Sequence, residues 1–142
     1  MDAQQLHRGR LIDHLQLVVS DLAASQRFYE AVAQVLEIPV GGSAADYFWI
    51  DELFVSSADS PAAQGHLTGR HHLAFQARDR AMVEAFHRAG LEAGGRDNGK
   101  PGERPYHPGY YAAFLLDPDG NNIEAVFHGE AQRSAGSVVI TF

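Results

Sequence analysis

His14-Leu15-Gln16-Leu17-Val18-Val19-Ser20-Asp21-Leu22-Ala23 returns 58 positions later as His72-Leu73-Ala74-Phe75-Gln76-Ala77-Arg78-Asp79-Arg80-Ala81. The correspondence continues with Phe28 on Phe86 and Ala31 on Ala89, giving six identities in nineteen over residues 14–32. Leu11 to Val19 alternates loosely and is rich in Leu, Ile and Val, the pattern of a strand. Asp21, matched by Asp79, can cap a helix by accepting a bond from a free first-turn N–H. Leu22, Phe28, Tyr29, Val32 and Leu36 share one face at helical spacing, which predicts an amphipathic helix over 22–36. Pro39, Gly41 and Gly42 close that unit. Tyr47 to Ile50 and Leu53 to Ser57 read as strands around a tight turn at Asp51 and Glu52. A Ser-, Ala-, Pro- and Gly-rich linker over 58–69 follows. The second copy runs on through Gly94-Gly95, a long loop and a strand from Tyr110 to Leu116. Asp117-Pro118-Asp119-Gly120-Asn121 is a turn, and Asn122 to Phe127 the closing strand. The reading is α+β: two tandem β-α-β-β-β modules, 11–57 and 70–128, in one domain over 11–128. The tail, 129–142, ends in Ser137 to Thr141, whose strand-like composition suits pairing with an edge or a second subunit.

Composition narrows the classes. A chain of 142 residues with 45% apolar and 20% charged residues can bury a core and is not of disordered type. A net charge of −7, with eleven scattered Lys and Arg, excludes a phosphate-binding face, so no nucleic-acid partner is expected. There is no cysteine, hence no disulfide, thiolate nucleophile or sulfur-ligated metal. Met1 to Arg10 is polar and lacks the apolar core of a signal peptide. No apolar run reaches the roughly 18 residues of a membrane helix. A cytoplasmic protein with no membrane partner is the expectation.

Strand alternation then locates candidate chemistry. His14 shares a face with Gln16 and Val18, His72 with Ala74 and Gln76, and Glu124 with Asn122 and Val126. The opposite faces (Leu15, Leu17 and Val19; Leu73, Phe75 and Ala77; Ile123, Ala125 and Phe127) are apolar and suit helix packing. A lone His at a strand start is ordinarily a surface or hydrogen-bonded residue. A Glu within an apolar strand needs a partner, since an unpaired buried carboxylate costs several kcal/mol; one of the arginines could serve. Equivalent places for His14 and His72 in two copies of one repeat shift the balance. Two imidazoles and a carboxylate hold a divalent ion with residual charge of about +1 and open positions, the condition of a catalytic site.

These residues also carry a family resemblance. Asp13-His14-Leu15-Gln16-Leu17-Val18-Val19-Ser20-Asp21-Leu22 followed by Phe28-Tyr29 resembles the opening of the vicinal oxygen chelate superfamily. So do His72-Leu73-Ala74-Phe75 and Asp117-Pro118-Asp119-Gly120-Asn121-Asn122-Ile123-Glu124, the last being the most specific part. The superfamily holds glyoxalase I, fosfomycin resistance thiol transferases, extradiol dioxygenases and bleomycin resistance proteins. The resemblance covers about residues 11 to 128. It implies paired modules forming a curved mixed sheet around a metal, commonly in a homodimer, with ligands at His14, His72 and Glu124. Glyoxalase I has a further carboxylate ligand on the last strand of its first module, where this chain has Leu53-Phe54-Val55-Ser56. The one-carboxylate set is similar instead to the fosfomycin resistance branch and the extradiol dioxygenases. Bleomycin-binding members generally lack the metal set. The implied function is a metal-dependent lyase, isomerase or transferase acting on a small molecule with vicinal oxygens. An Fe(II) extradiol-type dioxygenase and a sequestering protein for a small molecule or antibiotic are the alternatives. Zn, Mn, Ni, Co and Fe(II) all suit the ligand set.

Gly94 to Gly109 carries five Gly and three Pro in sixteen residues and reads as a long loop, either pocket wall or solvated excursion. Arg104 or Lys100 could meet an anionic substrate there, and His107 or Tyr110 could exchange a proton. Tyr47 and Trp49 alternate with Phe48, so one face is core and the other cavity. Gln16, Tyr47, Trp49 and Tyr106 are the candidate substrate contacts. His71 aligns with Asp13, which favours His72 as the ligand. His7, His66, His87 and His128 have no patterned context and are expected at the surface.

Overall fold

The computed structural model describes residues 5–142; the first four of the polar N-terminal segment lie outside the described residues. The first module is β2 (Leu15–Val18), α1 (Leu22–Val35), β3 (Gly42–Ser43), β4 (Tyr47–Ile50) and β5 (Leu53–Ser56). It is preceded by β1 (Gln5–Arg8) and followed by a 3-10 turn, Pro61–Ala63. The second module is β6 (His72–Gln76), α2 (Arg80–Glu92), β7 (Arg96–Glu103), β8 (Tyr111–Leu116) and β9 (Asn122–Phe127), with β10 (Val138–Thr141) after it. Each helix starts where an aspartate takes up an unpaired N–H. Asp21 Oδ1 accepts from Ala24 N at 3.0 Å, and Asp79 Oδ1 from Met82 N at 2.8 Å.

Each module makes its own four-stranded mixed sheet, in the orders β2-β5-β4-β3 and β6-β9-β8-β7. In each module the helix carries the chain from the first strand to the far edge of the sheet, and two antiparallel turns bring it back so that the last strand lies parallel beside the first. Leu17, Val19, Phe48, Ile50, Leu53 and Val55 join Phe28, Tyr29 and Val32 of α1 in the core. Ala113, Leu115, Ile123 and Ala125 join Val83 and Phe86 of α2 in the same cluster. Each fully buried large side chain contributes roughly 1.5–3 kcal/mol. The helices pack against each other as well as on their sheets. Gly90 makes room there, since a Cβ would fall on Leu115 beside Phe28 and Val32. The polar faces of the two sheets therefore point outward from one shared core.

Polar ties also join the modules. Tyr29 OH donates to Asp117 Oδ2 at 2.5 Å, and Ser20 N and Oγ donate to Asp119 at 3.0 and 2.9 Å. Arg78 Nη1 meets Glu37 Oε2 at 2.6 Å.

Several elements differ from the sequence reading. Residues 96–103 are not loop but an edge strand, paired with β8 through register shifts between Asp97 and Gly99 and between Gly99 and Gly102. Irregular pairing at an edge tolerates glycine and Pro101, which a regular central strand would not. The first module's opening strand starts at Leu15 rather than Leu11; Leu11 and Ile12 are exposed in a turn closed by Gly9 N to Ile12 O at 3.1 Å. A strand at Gln5–Arg8, unanticipated in the polar N-terminal segment, pairs antiparallel with β10. His87, expected at the surface, is buried and bonded through Nε2 to Asp97 Oδ1 at 2.9 Å. It takes the place of Tyr29 in the repeat, also a buried helical position with a polar tip.

Candidate metal centre and ligand cleft

On the outer face of the second sheet, Glu124 lies in β9 beside Ala74 of β6 and Phe114 of β8. It is 2% exposed, which demands compensation for its charge. Both oxygens are engaged: Oε1 lies 3.0 Å from His72 Nε2, and Oε2 accepts a hydrogen bond from Tyr110 OH. His72 Nδ1 is 2.9 Å from the Asn122 carbonyl, which can only accept, so Nδ1 carries the ring proton. In a neutral imidazole Nε2 is then bare, and its lone pair faces a carboxylate oxygen. The pair therefore calls for a positive charge, a proton or a metal ion. A histidine whose other nitrogen donates to a backbone carbonyl is the usual outer-shell arrangement of a metal ligand. A separation of 3.0 Å also suits two donors on adjacent positions of an ion with bonds of about 2.1 Å. The residues present fit a divalent ion, as far as two ligands go.

The Asp-Pro-Asp-Gly-Asn turn fixes the strand that carries His72. Asp117 Oδ1 accepts from Asp119 N at 3.0 Å and Asn121 N at 2.8 Å, closing the turn around Gly120, whose φ is +88°. Asn121 Oδ1 accepts from His71 N at 2.8 Å, and Asn122 N donates to the His71 carbonyl at 2.8 Å. His71 is thus bound through its backbone, leaving His72 to face Glu124. Tyr110 is pushed up to about 12, by burial first and then by its bond to Glu124. Its proton stays on the phenol, where it orients the carboxylate.

His14 precedes β2 by one residue. Its ring meets the edge of Phe54 at 5.4 Å, and Nδ1 lies 2.7 Å from Asp13 Oδ1. The structure unites His72 with Glu124 but does not bring His14 to them. Among the described residues no three His, Cys, Asp or Glu side chains gather closely enough to hold a metal ion. The two outward sheet faces account for this. His107 Nε2 pairs with His128 Nδ1 at 2.8 Å, the two rings meeting the edge of Tyr110 at 5.3 and 5.2 Å. Arg104 lies over Phe114 at 5.3 Å and donates to the Lys100 carbonyl at 2.7 Å.

The first sheet presents a second feature. Tyr47, Trp49 and Phe54 stand in a row with ring centroids 5.9 and 5.7 Å apart and interplanar angles of 18° and 15°. They line a cleft of about 400 Å³ together with Gln16, Ser56, Ser60, Leu6, Arg8 and Phe142. Three of the four substrate contacts expected from the sequence, Gln16, Tyr47 and Trp49, meet there. Tyr106 does not; it is exposed, with its ring 5.0 Å from that of Tyr110. Asn122, the residue that sets the His72 tautomer, was missed although it shares Glu124's face two residues away. Arg8 and Phe142 carried no sequence signal.

Comparison with known proteins decides the family. A model of the Glyoxalase/Bleomycin resistance protein/Dioxygenase superfamily matches residues 11–125. The chain belongs to that superfamily. A glyoxalase/bleomycin resistance protein from Albidiferax ferrireducens T118 is 30% identical, with a TM-score of 0.68 over 82% of this chain and 97% of that one. A glyoxalase-related enzyme from Fulvimarina pelagi shares the fold at 19% identity, with a TM-score of 0.67 and coverage of 89% and 94%. Lactoylglutathione lyase from Agrobacterium tumefaciens does so at 19% identity, with a TM-score of 0.58 and coverage of 80% and 90%. Among curated proteins no relative matches. The superfamily match runs from residue 11 to 125, so β1 and β10 lie outside it. No helix of the described residues is long and apolar enough to cross a membrane.

Proposed function

We propose that the chain is one subunit of a homodimeric, divalent-metal-dependent enzyme of glyoxalase type: a lyase, isomerase or transferase for a small molecule with two neighbouring oxygens. His72 and Glu124 of one subunit, with His14 of the partner subunit, would hold the ion. The observation that carries the reading is the His72–Glu124 contact, imidazole Nε2 at 3.0 Å from a buried carboxylate oxygen, with Nδ1 turned to the Asn122 carbonyl. The free strand edges support the dimer. β6 is an outer strand, and β2 is another, closed only at Val18, where Thr68 Oγ1 and N bracket its backbone at 3.2–3.3 Å. Antiparallel or parallel apposition of these edges in a twofold dimer would set the partner subunit's His14 beside His72.

When bound, the ion would supply a Lewis acid that stabilises negative charge on a chelated oxygen. The chain's own residues prepare the place. Asn122 fixes the His72 tautomer, and Tyr110 occupies Glu124 Oε2, leaving Oε1 to the ion; Tyr110 is a positioning residue. Arg104, stacked on Phe114 at the same face, is the group that would meet a substrate oxygen, and His107, backed by His128, the one that would exchange a proton.

The test is metal content of untagged protein, wild type against Glu124→Ala. About one divalent ion per chain, lost in the variant, is expected. No metal, and none taken up from Zn, Mn, Ni, Co or anaerobic Fe(II), would overturn the enzyme reading in favour of sequestration.

A further inference from the structure

The cleft on the first sheet is built from parts that the metal centre does not use. Its lining combines the row Tyr47–Trp49–Phe54 with Leu6 and Arg8 of β1 and Phe142, which follows β10. Trp49 holds its place because Gly41 and Gly42, at the start of β3, have no side chain beneath it: a Cβ at either would fall inside the indole. Arg8, 6% exposed, closes one end, with its guanidinium 5.2 Å from the Phe54 ring centre. Its Nη1 donates to the Asp51 carbonyl at 2.6 Å. Its Nε finds no hydrogen-bond partner among the described residues, the nearest carboxylate being Asp13 at 3.4 Å. Gln16 Nε2 donates to Ser56 Oγ at 2.8 Å, which leaves the Ser56 hydroxyl proton and the Gln16 carbonyl for another molecule.

From this geometry we infer that the cleft binds a neutral, planar, conjugated ring bearing an oxygen acceptor. Planarity follows from a lining dominated by the near-parallel rings of Tyr47, Trp49 and Phe54, with Leu6 and Phe142 beside them, since aromatic partners reward a flat ring beyond the area it buries. The oxygen answers the Ser56 hydroxyl, whose own acceptor side is taken by Gln16 Nε2. Neutrality follows from charge: Arg8 already faces Asp13, with Asp51 and Glu52 close enough for Arg8 to pull both carboxyls down against the larger, upward effect of burial. An added anion would find no uncompensated cation, and an added cation would meet Arg8. A volume of about 400 Å³ lies in the range of small-molecule sites. The row of rings leads to His14, so the bound ring is the substrate class of the proposed centre. That last identification rests on the dimer reading; the binding itself rests on this chain alone.

Trp49 is the sole tryptophan, so its emission reports this cleft and nothing else. The probe is 4-nitrobenzamide, a neutral planar ring with an amide oxygen that quenches tryptophan on contact, compared by calorimetry with cyclohexanecarboxamide and 4-nitrobenzoate. Saturable quenching is expected, with affinity about tenfold better than for either comparison compound and a similar loss in Tyr47→Ala. Tyr47 is 36% exposed, so that variant should keep the fold, which circular dichroism checks. His72→Ala should bind the probe as wild type does even where metal is lost, which separates the cleft from the centre. Absence of saturable quenching, equal binding of cyclohexanecarboxamide or of the nitrobenzoate, or unchanged affinity in folded Tyr47→Ala would overturn the proposal.

Discussion

Glu124 is the residue around which the second sheet's outer face is arranged. A carboxylate at 2% exposure calls for a matching positive charge, and its neighbours are the Tyr110 phenol and the His72 imidazole, whose Nε2 faces it at 3.0 Å. Tyr110 matters here because it decides which oxygen remains free. Tyr110→Phe should keep the fold and weaken metal binding by roughly 10- to 100-fold, the usual effect of removing an outer-shell partner. Competition with a chelating dye reads this directly. Unchanged affinity would show that the phenol does not orient the carboxylate. The alternating patterns of β6 and β9 put His72 and Glu124 on one sheet face, where the structure brings them together at 3.0 Å. They could not reveal Tyr110's role, because that depends on how a loop returns to the sheet fourteen residues before Glu124 in sequence.

Strands and helices followed their sequence signals where local chemistry governs. The N-caps at Asp21 and Asp79 and the turn at Asp117–Asn121 formed as their residues indicate. The failures came where an element exists only through its neighbours. β7 is a Gly- and Pro-bearing segment with no strand propensity, held by β8 along an edge. β1 exists by pairing with a segment more than 130 residues away, a partner no local window contains. β3 is two residues long and serves as the bed for Trp49. Gly42→Ala should therefore dislodge the indole. The single-tryptophan emission would shift to the red with little change in helix content, whereas an unaltered spectrum would mean that the contact does not hold the ring.

Over the whole molecule, two modules share one core but keep two outward faces, one holding an aromatic cleft and the other the His72–Glu124 pair. The repeat at 58 positions made the duplication and topology legible in the sequence. It carried no information on how the copies dock, because helix-to-helix packing is set by shape between residues distant in the chain. Tyr29 is the main polar rivet of that docking, and burial, reinforced by Asp117, raises its ionisation well above the ordinary tyrosine range. Tyr29→Phe would leave Asp117 short of a donor and should cost about 1–3 kcal/mol in denaturant unfolding. Above pH of about 10 the unfolded chain loses this proton while the folded one keeps it. Tyr29 thus makes stability fall as pH rises there, a contribution that the Phe variant should lack.

The central claim is that the centre is shared between subunits, and mixing two inactive variants tests it most directly. His14→Ala and Glu124→Ala would each be purified without metal, then mixed under conditions that exchange subunits. In a twofold dimer half of the assemblies become mixed, and each mixed dimer regains one complete set of ligands. About a quarter of the wild-type metal content should return on mixing, with neither variant binding metal alone. No recovery after demonstrated subunit exchange, or full metal binding by His14→Ala alone, would contradict it.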